Sequence, residues 1–372
     1  MTAAPCLAYI SSGPQASVVL LATLVSALAL AAVIWRWLRR RMRRERWIRP
    51  NYRDHRVVAV SGLIVIAASA VVVVIAAIVS ATLPEGERQW AVHPPQQEML
   101  LARSPDAATI AGCIAALVLL VGFGWLGYRD DQRGSQADQR VSSGFIGHLR
   151  LSWRQRALTT GLQKAVGGAV VALIGAQVAL WGDPGEARRI AGANSADWLD
   201  PVLHALGLRT GPEAMWSLMA LVRGALIVAL GANLLNLLDR VPGRATKTAL
   251  AWWLVGLAPA AIVASSSPGR FGLGADTAES VIWAAAAVGA AVGLLRSEMA
   301  EQHMQGDVGV NPLGALLGMA TVAAYPATVE WAVLAALAAL NLASERWSFS
   351  RVIDAVPPLR WLDRLGSPCR HC

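Results

Sequence analysis

Repeated apolar runs, each long enough to approach the thickness of a lipid bilayer as a helix, constrain the fold of this chain most strongly. A hydrocarbon core about 30 Å thick takes roughly 20 residues per helix. About nine runs approach that length, namely residues 16–35, 57–83, 107–125, 161–181, 215–238, 248–264, 280–295, 312–325 and 328–342. Hydrophobic residues make up 55% of the chain and charged residues 15%, which indicates an integral membrane protein. We therefore predict an all-α, polytopic helix bundle over residues 1–366, followed by a short tail, 367–372.

The basic residues predict how this bundle is oriented. Short loops rich in Lys and Arg stay on the cytoplasmic side of a membrane, and the loop at 36–56 carries the densest basic run in the chain. Alternate loops at 129–156 and 240–247, and the tail after 344, are basic as well. We expect an outward N-terminus, a cytoplasmic C-terminus and a multi-pass protein of the plasma membrane. Because the basic runs flank spans, the net charge of +9 does not indicate nucleic-acid binding.

Acidic residues recur where three of the predicted helices end. Asp130 and Asp131 follow the third apolar run, Asp239 ends the fifth, and Asp307 follows the seventh. Each acid alone has the ordinary explanation of a solvated loop residue, because a charge costs much less at the interface than at the membrane centre. With alternating spans, however, all three ends lie on the predicted cytoplasmic face. Their recurrence predicts one shared site there.

Two asparagines extend this pattern into the membrane. Asn233, Asn236 and Asp239 are spaced by three residues, which predicts a polar stripe on an otherwise apolar helix. A buried polar stripe needs partners, such as a ligand or a metal ion. Converging carboxylates repel one another unless they are protonated or neutralised by a cation. Mg²⁺ takes oxygen ligands, so we expect magnesium at this site.

Two basic residues lie inside predicted spans. Lys164 is four residues into the fourth run, where it would either supply a counter-charge for a phosphate or extend to the lipid headgroups. Arg223 lies near the middle of the fifth run, and we expect a pairing or structural role for it.

The cysteines predict neither a disulfide framework nor a closed metal site. Cys113 lies inside a predicted span and Cys6 lies near the outer terminus. Cys369-Arg-His-Cys372 provides three potential ligands, whereas a structural zinc site normally has four. We interpret this segment as an unstructured tail.

Taken in order, the polar motifs resemble those of the polyprenyl-phosphate N-acetylhexosamine-1-phosphate transferase family. The shared order is Asp-Asp after the third span, Asn-x-x-Asn-x-x-Asp after the fifth and Gly-Asp-x-Gly after the seventh. The resemblance covers roughly residues 16–366 and extends to Asn51-Tyr52-Arg53, to Gly144-Phe145-x-Gly147-His148-Leu149 and to Thr159-Thr160-Gly161-x-x-Lys164. The sequence is most similar to a less characterised Gram-positive branch, with Pro242-Gly243-Arg244 after the second motif.

This resemblance implies an activity and a set of site residues. Members of the family use Mg²⁺ to transfer a sugar-1-phosphate from a UDP-sugar to a polyprenyl phosphate, releasing UMP, in cell-envelope polysaccharide or peptidoglycan-type synthesis. The implied catalytic residues are Asp130, Asp131 and Asp239, and the implied metal ligands are Asp307 and Asp131. The implied substrate-binding residues are Lys164, Asn233, Asn236 and His148. One of Asp130 and Asp131 would orient or deprotonate the lipid phosphate or, alternatively, form a covalent intermediate; a homodimer is also implied.

Departures from the family pattern keep a second interpretation open. Pro242 stands where better-known members have a second acid, and residues 344–347 stand where they have a His-rich loop. His148 and His303 are isolated and are predicted to be ordinary loop residues. The alternative is a non-catalytic relative that binds polyprenyl phosphate or scaffolds envelope assembly. A transporter is less consistent with the sequence, because the charged groups cluster at one face rather than at the bilayer midplane.

Overall fold

The computed structural model describes residues 13–44, 47–51, 53–82, 105–133, 160–181, 212–266 and 277–366. Most of the described chain is helical. The helices are α1 (Gly13–Leu38), α2 (Gly62–Thr82), α3 (Pro105–Arg133), α4 (Thr160–Trp181), α5 (Pro212–Leu238), α6 (Arg244–Ala251), α7 (Ala258–Ser266), α8 (Thr277–Met299), α9 (Asp307–Ala324), α10 (Ala327–Ser344), α11 (Phe349–Ala355) and α12 (Pro357–Arg364). A π-helical segment, Trp252–Leu257, joins α6 to α7 without a break. Strands β1 (Ile48–Pro50) and β2 (Arg56–Val58) form an antiparallel hairpin.

The outer surface of the bundle is apolar. On α1, Val18, Leu21 and Val25 recur at helical spacing and are 63%, 60% and 49% exposed, and Val255 in the π-helical segment is 81% exposed. Water would disfavour such a surface, whereas lipid accommodates it. Within the described ranges, eight helices are long and apolar enough to cross a membrane, and α4 contributes a shorter apolar stretch, Val166–Gln177. The predicted polytopic helix bundle is therefore confirmed, while the count of nine spans and the orientation stay predictions.

Helix α9 lies at the centre of the bundle, packed against α2, α3, α5 and α8. Nearly all its residues are buried, including a run of small and branched side chains from Val308 to Thr321. Small residues allow such close packing: a Cβ added at Gly314 would meet the backbone of Gly231 in α5. Lipid gives no hydrophobic drive for helices to associate, so close van der Waals contact between backbones is a main source of stability here.

Three of the helix boundaries that differ from the predicted ones lie close to the acidic residues. The second span starts at Gly62 rather than at residue 57, because Arg56–Val58 pairs as a strand with Ile48–Pro50. The third helix continues beyond residue 125 to Arg133, so its two acids lie in its last turns rather than after it. Helix α9 begins at Asp307 rather than at residue 312, so Pro312 lies inside it. Tertiary contacts stabilise the additional turns of α3 and α9.

Arg223 is paired, as its position predicted. Its guanidinium donates to both carboxylate oxygens of Glu330 in α10, at 2.8 and 3.2 Å, and lies 5.5 Å from the ring centre of Trp331. Arg223 and Glu330 are 6% and 5% exposed. A buried charge is tolerated when a partner and hydrogen bonds satisfy it. This pair fixes α10 against α5 within the membrane-spanning part of the bundle.

Candidate active site at the basic end of the bundle

One end of the bundle brings together the last turns of α1, α3, α5, α8 and α10 with the first turns of α2, α6 and α9. We call it the basic end, because α1 leads there into the Arg-rich segment that begins at Arg36. The hairpin β1–β2 lies at this end too, since Val58 forms a bridge with His303 just before α9. All the acids singled out from the sequence lie here.

Asp131 caps the N-terminus of α9 from a different helix. Its carboxylate accepts hydrogen bonds from the backbone N–H groups of Asp307, at 3.3 Å, and Val308, at 3.2 Å. The first N–H groups of a helix have no partner within the helix, and the helix dipole favours an anion beside them. Helix α9 can therefore begin five residues before Pro312 without leaving these two donors buried and unpaired.

Gly127 allows this contact to form. A Cβ added at Gly127 would meet the backbone of Asp307 and Val308, so only a glycine lets α3 pass so close to the start of α9. Residues four apart lie on the same face of a helix. Asp131, one turn beyond Gly127, is thus brought over the first turn of α9.

Gly306 orients the segment that enters α9. Its φ of 68° lies in the left-handed region, which glycine adopts without a steric penalty. The backbone of Gly306 also lies close enough to Asp239 to lower the pKa of that carboxyl. The segment that enters α9 therefore lies between Asp131, which binds the N–H groups of residues 307 and 308, and Asp239.

Asp239 lies in a strongly acidic environment. Removal of water raises its pKa well above the usual range, and the nearby carboxylates of Glu298, Asp307 and Asp131 raise it further. The backbone of Gly306 opposes this change but is the weaker effect. Asp239 therefore needs a proton or a cation nearby to be accommodated at neutral pH.

The polar residues of the predicted stripe on α5 contact two different parts of the bundle. Asn236 donates to Asp307, at 3.4 Å, whereas Asn233 donates to Asn341 of α10, at 2.6 Å. Three residues turn an α-helix by about 300°, so six residues leave Asn233 and Asp239 about 120° apart around the axis. Asn236 thus contacts the acidic site and Asn233 contacts α10, while the substrate-binding role of both residues stays a prediction.

A buried polar cluster beside Asp239 escaped the sequence analysis. Glu298, 1% exposed in the last turn of α8, accepts hydrogen bonds from Thr246 and Gln305, both at 3.2 Å. Gln305 also donates to Thr246, at 2.6 Å. The predicted span ends at residue 295, so Glu298 falls in the following loop. The sequence signal that Glu298 is buried is its spacing of four residues from Leu294, which places both on one face of an apolar helix. The cluster ties α6, α8 and the segment before α9 to one another.

His303 is a buried core residue and not an isolated loop histidine. It is 0% exposed, and its ring packs edge-to-face against Trp35. It lies within hydrogen-bond distance of Ser61, at 2.7 Å, and of Ser297, at 2.9 Å. Ser61 and Ser297 also lie within hydrogen-bond distance of the carbonyls of Met304 and Leu294, at 2.7 and 2.9 Å, so each hydroxyl contacts both the ring and a backbone carbonyl. Burial lowers the pKa of His303 from 6.5 to about 3, so the ring is neutral.

The loop containing Asn51 is hydrogen-bonded to the segment between α8 and α9, which includes His303. Asn51 donates to Glu301, at 2.9 Å, and its own oxygen accepts from the backbone of Arg53 and His55. Arg53 and His55 also lie within ion-pair distance of Glu301, at 3.3 and 2.8 Å. The hairpin and its turn therefore hold the chain that leads to Gly306.

The remaining predicted site residues are partly or wholly outside the described residues. Asp130 is half-buried in the last turns of α3 beside Asp131. Lys164 lies in the second turn of α4, but its side chain is not among those described. His148, Cys6, Cys369 and Cys372 lie outside the described residues altogether.

The acids suit a magnesium ion only if a substrate completes the coordination. Among the described residues, no three His, Cys, Asp or Glu side chains form a group that could hold a metal ion by themselves. Mg²⁺ commonly takes one or two carboxylates from a protein and completes its shell with phosphates and water. Asp239 and Asp307 fit that share, because Asp131 already binds two backbone N–H groups. The crowding of negative charge around Asp239 is the observation that favours a cation there.

Comparison with known proteins gives no independent assignment. No family model matches the chain, and no curated protein is significantly similar to it.

Proposed function

We propose that this protein transfers a sugar-1-phosphate from a UDP-sugar to a polyprenyl phosphate at the basic end of the bundle, releasing UMP. The observation that supports the proposal most is that Asp131, Asp239 and Asp307 lie together around the first turn of α9, at one end of a bundle whose outer surface is apolar. A lipid phosphate confined to a membrane reaches such a site from the side, with its chain in the bilayer. The charged donor reaches it from water.

The reaction is a phosphoryl transfer, in which positioning and charge neutralisation provide most of the catalysis. An oxygen of the lipid phosphate forms a bond to the β-phosphorus of the UDP-sugar, and the bond from that phosphorus to the bridging oxygen breaks to release UMP. Asp239 and Asp307 would hold Mg²⁺, which when bound neutralises the diphosphate and the leaving UMP. Asp130 would orient the lipid phosphate and accept its proton.

The other residues of the site keep these groups in place. Asn236 donates to Asp307 and so limits the rotation of that carboxylate. Asp131 and Gly127 hold α9 against α3, which sets where Asp307 lies. In the proposed enzyme Asp131 therefore positions Asp307 and needs no direct contact with the metal ion.

The same hydrogen bonds favour one alternative. An acid that caps a helix from a neighbouring helix stabilises the bundle whether or not any chemistry follows. A non-catalytic protein that binds polyprenyl phosphate at this end would keep Asp131, Gly127 and Gly306 for that reason.

Release of UMP by the purified full-length protein tests the proposal. The reaction contains undecaprenyl phosphate, Mg²⁺ and one member of a panel of UDP-sugars, and it compares the wild type with Asp307→Asn. The matched control is Asp354→Asn, which neutralises an exposed acid of α11 at the same end of the bundle. We expect release with at least one donor, loss of release in Asp307→Asn and wild-type release in the control.

Two results would contradict the proposal. Release that survives Asp307→Asn would remove the acidic site from the reaction. No release with any donor, while the protein still binds undecaprenyl phosphate, would favour the non-catalytic alternative.

A further inference from the structure

Helix α12, the last described helix, is attached to the bundle by its polar side. Arg244 donates to both carboxylate oxygens of Asp363, at 2.8 and 3.1 Å, and the two residues are 5% and 7% exposed. Lys247 donates to the carbonyl of Asp363, at 2.7 Å, and to that of Leu362, at 3.4 Å. Arg244 also donates to Ser350 of α11, at 2.9 Å. The start of α6 thus holds both C-terminal helices.

The opposite side of α12 is apolar and faces away from the protein. At about 100° per residue, its apolar side chains and the following Leu365 cover an arc of about 160°, and its charged side chains cover the remainder. Of the apolar residues, Leu359 is 42% exposed, Trp361 63%, Leu362 51% and Leu365 53%. Amphipathic helices of water-soluble proteins are usually arranged the other way, with the apolar side toward the core. An apolar side turned outward needs an apolar environment outside the protein.

The position of α12 relative to the membrane-spanning helices places it in such an environment. Arg244 begins the candidate span Arg244–Ala264, and Met299 ends the candidate span Ser280–Met299. Asp363 contacts the first of these residues, and a Cβ added at Gly366 would meet the side chain of Met299, at 2.8 Å. Both contacts lie where membrane helices enter or leave the bilayer. Helix α12 therefore lies level with the boundary between the acyl chains and the headgroups.

The exposed residues around α12 suit the headgroup region. Trp361 in α12 and Trp347 just after α10 are both 63% exposed, and tryptophan concentrates at membrane–water boundaries. Arg351, Arg360 and Arg364 are exposed as well. Arginines beside an apolar face are attracted to anionic lipids, as in helices that lie in the plane of a membrane.

We propose that α12 is an in-plane membrane helix, seated among anionic headgroups on the side of the bilayer where the acidic site lies. The lipid surface covers its apolar face, and the Arg244–Asp363 pair fixes the helix to the bundle. This proposal is independent of the proposed transferase reaction, because no step of it requires catalysis.

Spin-label depth measurements on the full chain test the proposal. Cys6, Cys369 and Cys372 are changed to Ser and Cys113 to Ala, and a single labelled cysteine then replaces Trp361 or, as the matched control on the charged side of the same helix, Arg360. The protein is reconstituted in vesicles of equal parts phosphatidylethanolamine and phosphatidylglycerol. Collision rates with oxygen, which concentrates in the acyl region, and with a water-soluble nickel chelate report the depth of each label.

We expect the ratio of oxygen to nickel collisions to be severalfold higher at 361 than at 360. Labels that collide equally often with the nickel chelate at both positions would place the helix in water and overturn the proposal. A label at 361 that is immobile, protected from both reagents and broadened by a second label nearby would also overturn it, because a second copy of the chain would then cover the face. Leu359→Cys repeats the measurement in case the tryptophan change disturbs folding.

Two further comparisons test the parts of the proposal separately. Asp363→Asn should increase the mobility of the 361 label severalfold, whereas Asp354→Asn in α11 should not; equal mobility in all three proteins would refute the role of the pair. Vesicles of phosphatidylcholine alone should give a shallower label than the anionic vesicles. The same depth in both would refute the attraction to anionic lipid.

Discussion

Lowering the pH should destabilise this protein through His303. The ring is fully buried between Trp35, Ser61 and Ser297, and its pKa falls from 6.5 to about 3 because burial disfavours the charged form. The unfolded chain therefore binds a proton on His303 at mildly acidic pH that the folded protein does not bind. The free energy of unfolding must then decrease as the pH falls from about 6.5 toward about 3.

The size of this effect follows from the two pKa values. One pKa unit corresponds to about 1.36 kcal/mol, so the full difference approaches about 5 kcal/mol below pH 3. Between about pH 7 and about pH 5, the contribution of His303 alone comes to about 2 kcal/mol of lost stability.

The assay compares the free energy of unfolding at those two pH values in mixed detergent micelles, for the wild type and for His303→Asn. Asparagine does not titrate and retains hydrogen-bonding groups at this position. The wild type should lose about 2 kcal/mol more than the variant on acidification. Ser69→Ala, which removes another buried hydrogen bond without removing a titrating group, should keep the wild-type pH dependence. The same pH dependence in wild type and His303→Asn would refute the argument that His303 is held neutral by burial.

Three further substitutions test the packing of the bundle in the same unfolding assay. Arg223→Met should cost about 3 to 5 kcal/mol, because it removes the cation that pairs with the buried carboxylate of Glu330. Adding Glu330→Leu should recover much of the loss, and an unaltered stability in Arg223→Met would show that the pair is not buried in the membrane. Gly127→Ala should cost about 1 to 3 kcal/mol through the clash with the start of α9, and a neutral result would mean that α3 does not approach so closely. Glu298→Ala should cost about 1 to 3 kcal/mol because it leaves two buried donors without an acceptor, whereas Glu298→Gln should cost less; equal losses would count against the hydrogen-bonded cluster.

The sequence predicted the membrane-spanning helices well, because a long apolar run is a local property of the chain. The boundaries were less predictable, since they depend on distant residues. Asp131 supplies partners for the first N–H groups of α9, so that helix starts at Asp307 although Pro312 suggested a later start. Likewise, α3 continues past residue 125 because Asp131 has partners in α9.

The candidate site was predicted in part for the same reason. Charged residues at helix ends are visible in a sequence, and topology alone put Asp131, Asp239 and Asp307 at one end. What the motif could not show was the rotation of each helix, so Asn233 was placed with the acids although it contacts α10. His303 looked like an ordinary loop residue because nothing in its local sequence shows that Trp35, from the first helix, covers it.

The cap that Asp131 provides for α9 has a consequence for biosynthesis. Asp131 and the backbone it binds at Asp307 are separated by 176 residues. At the usual rates of translation, on the order of 10 s or more pass between the synthesis of the two. Throughout that interval α3 is in the membrane before Asp131 can contact α9. The free-energy cost of a charged carboxylate is small at the water boundary and would be large at the bilayer centre. The acidic centre is therefore assembled late, after most of the bundle has been inserted, and a chain interrupted before α9 would contain Asp131 and Asp239 but would lack Asp307.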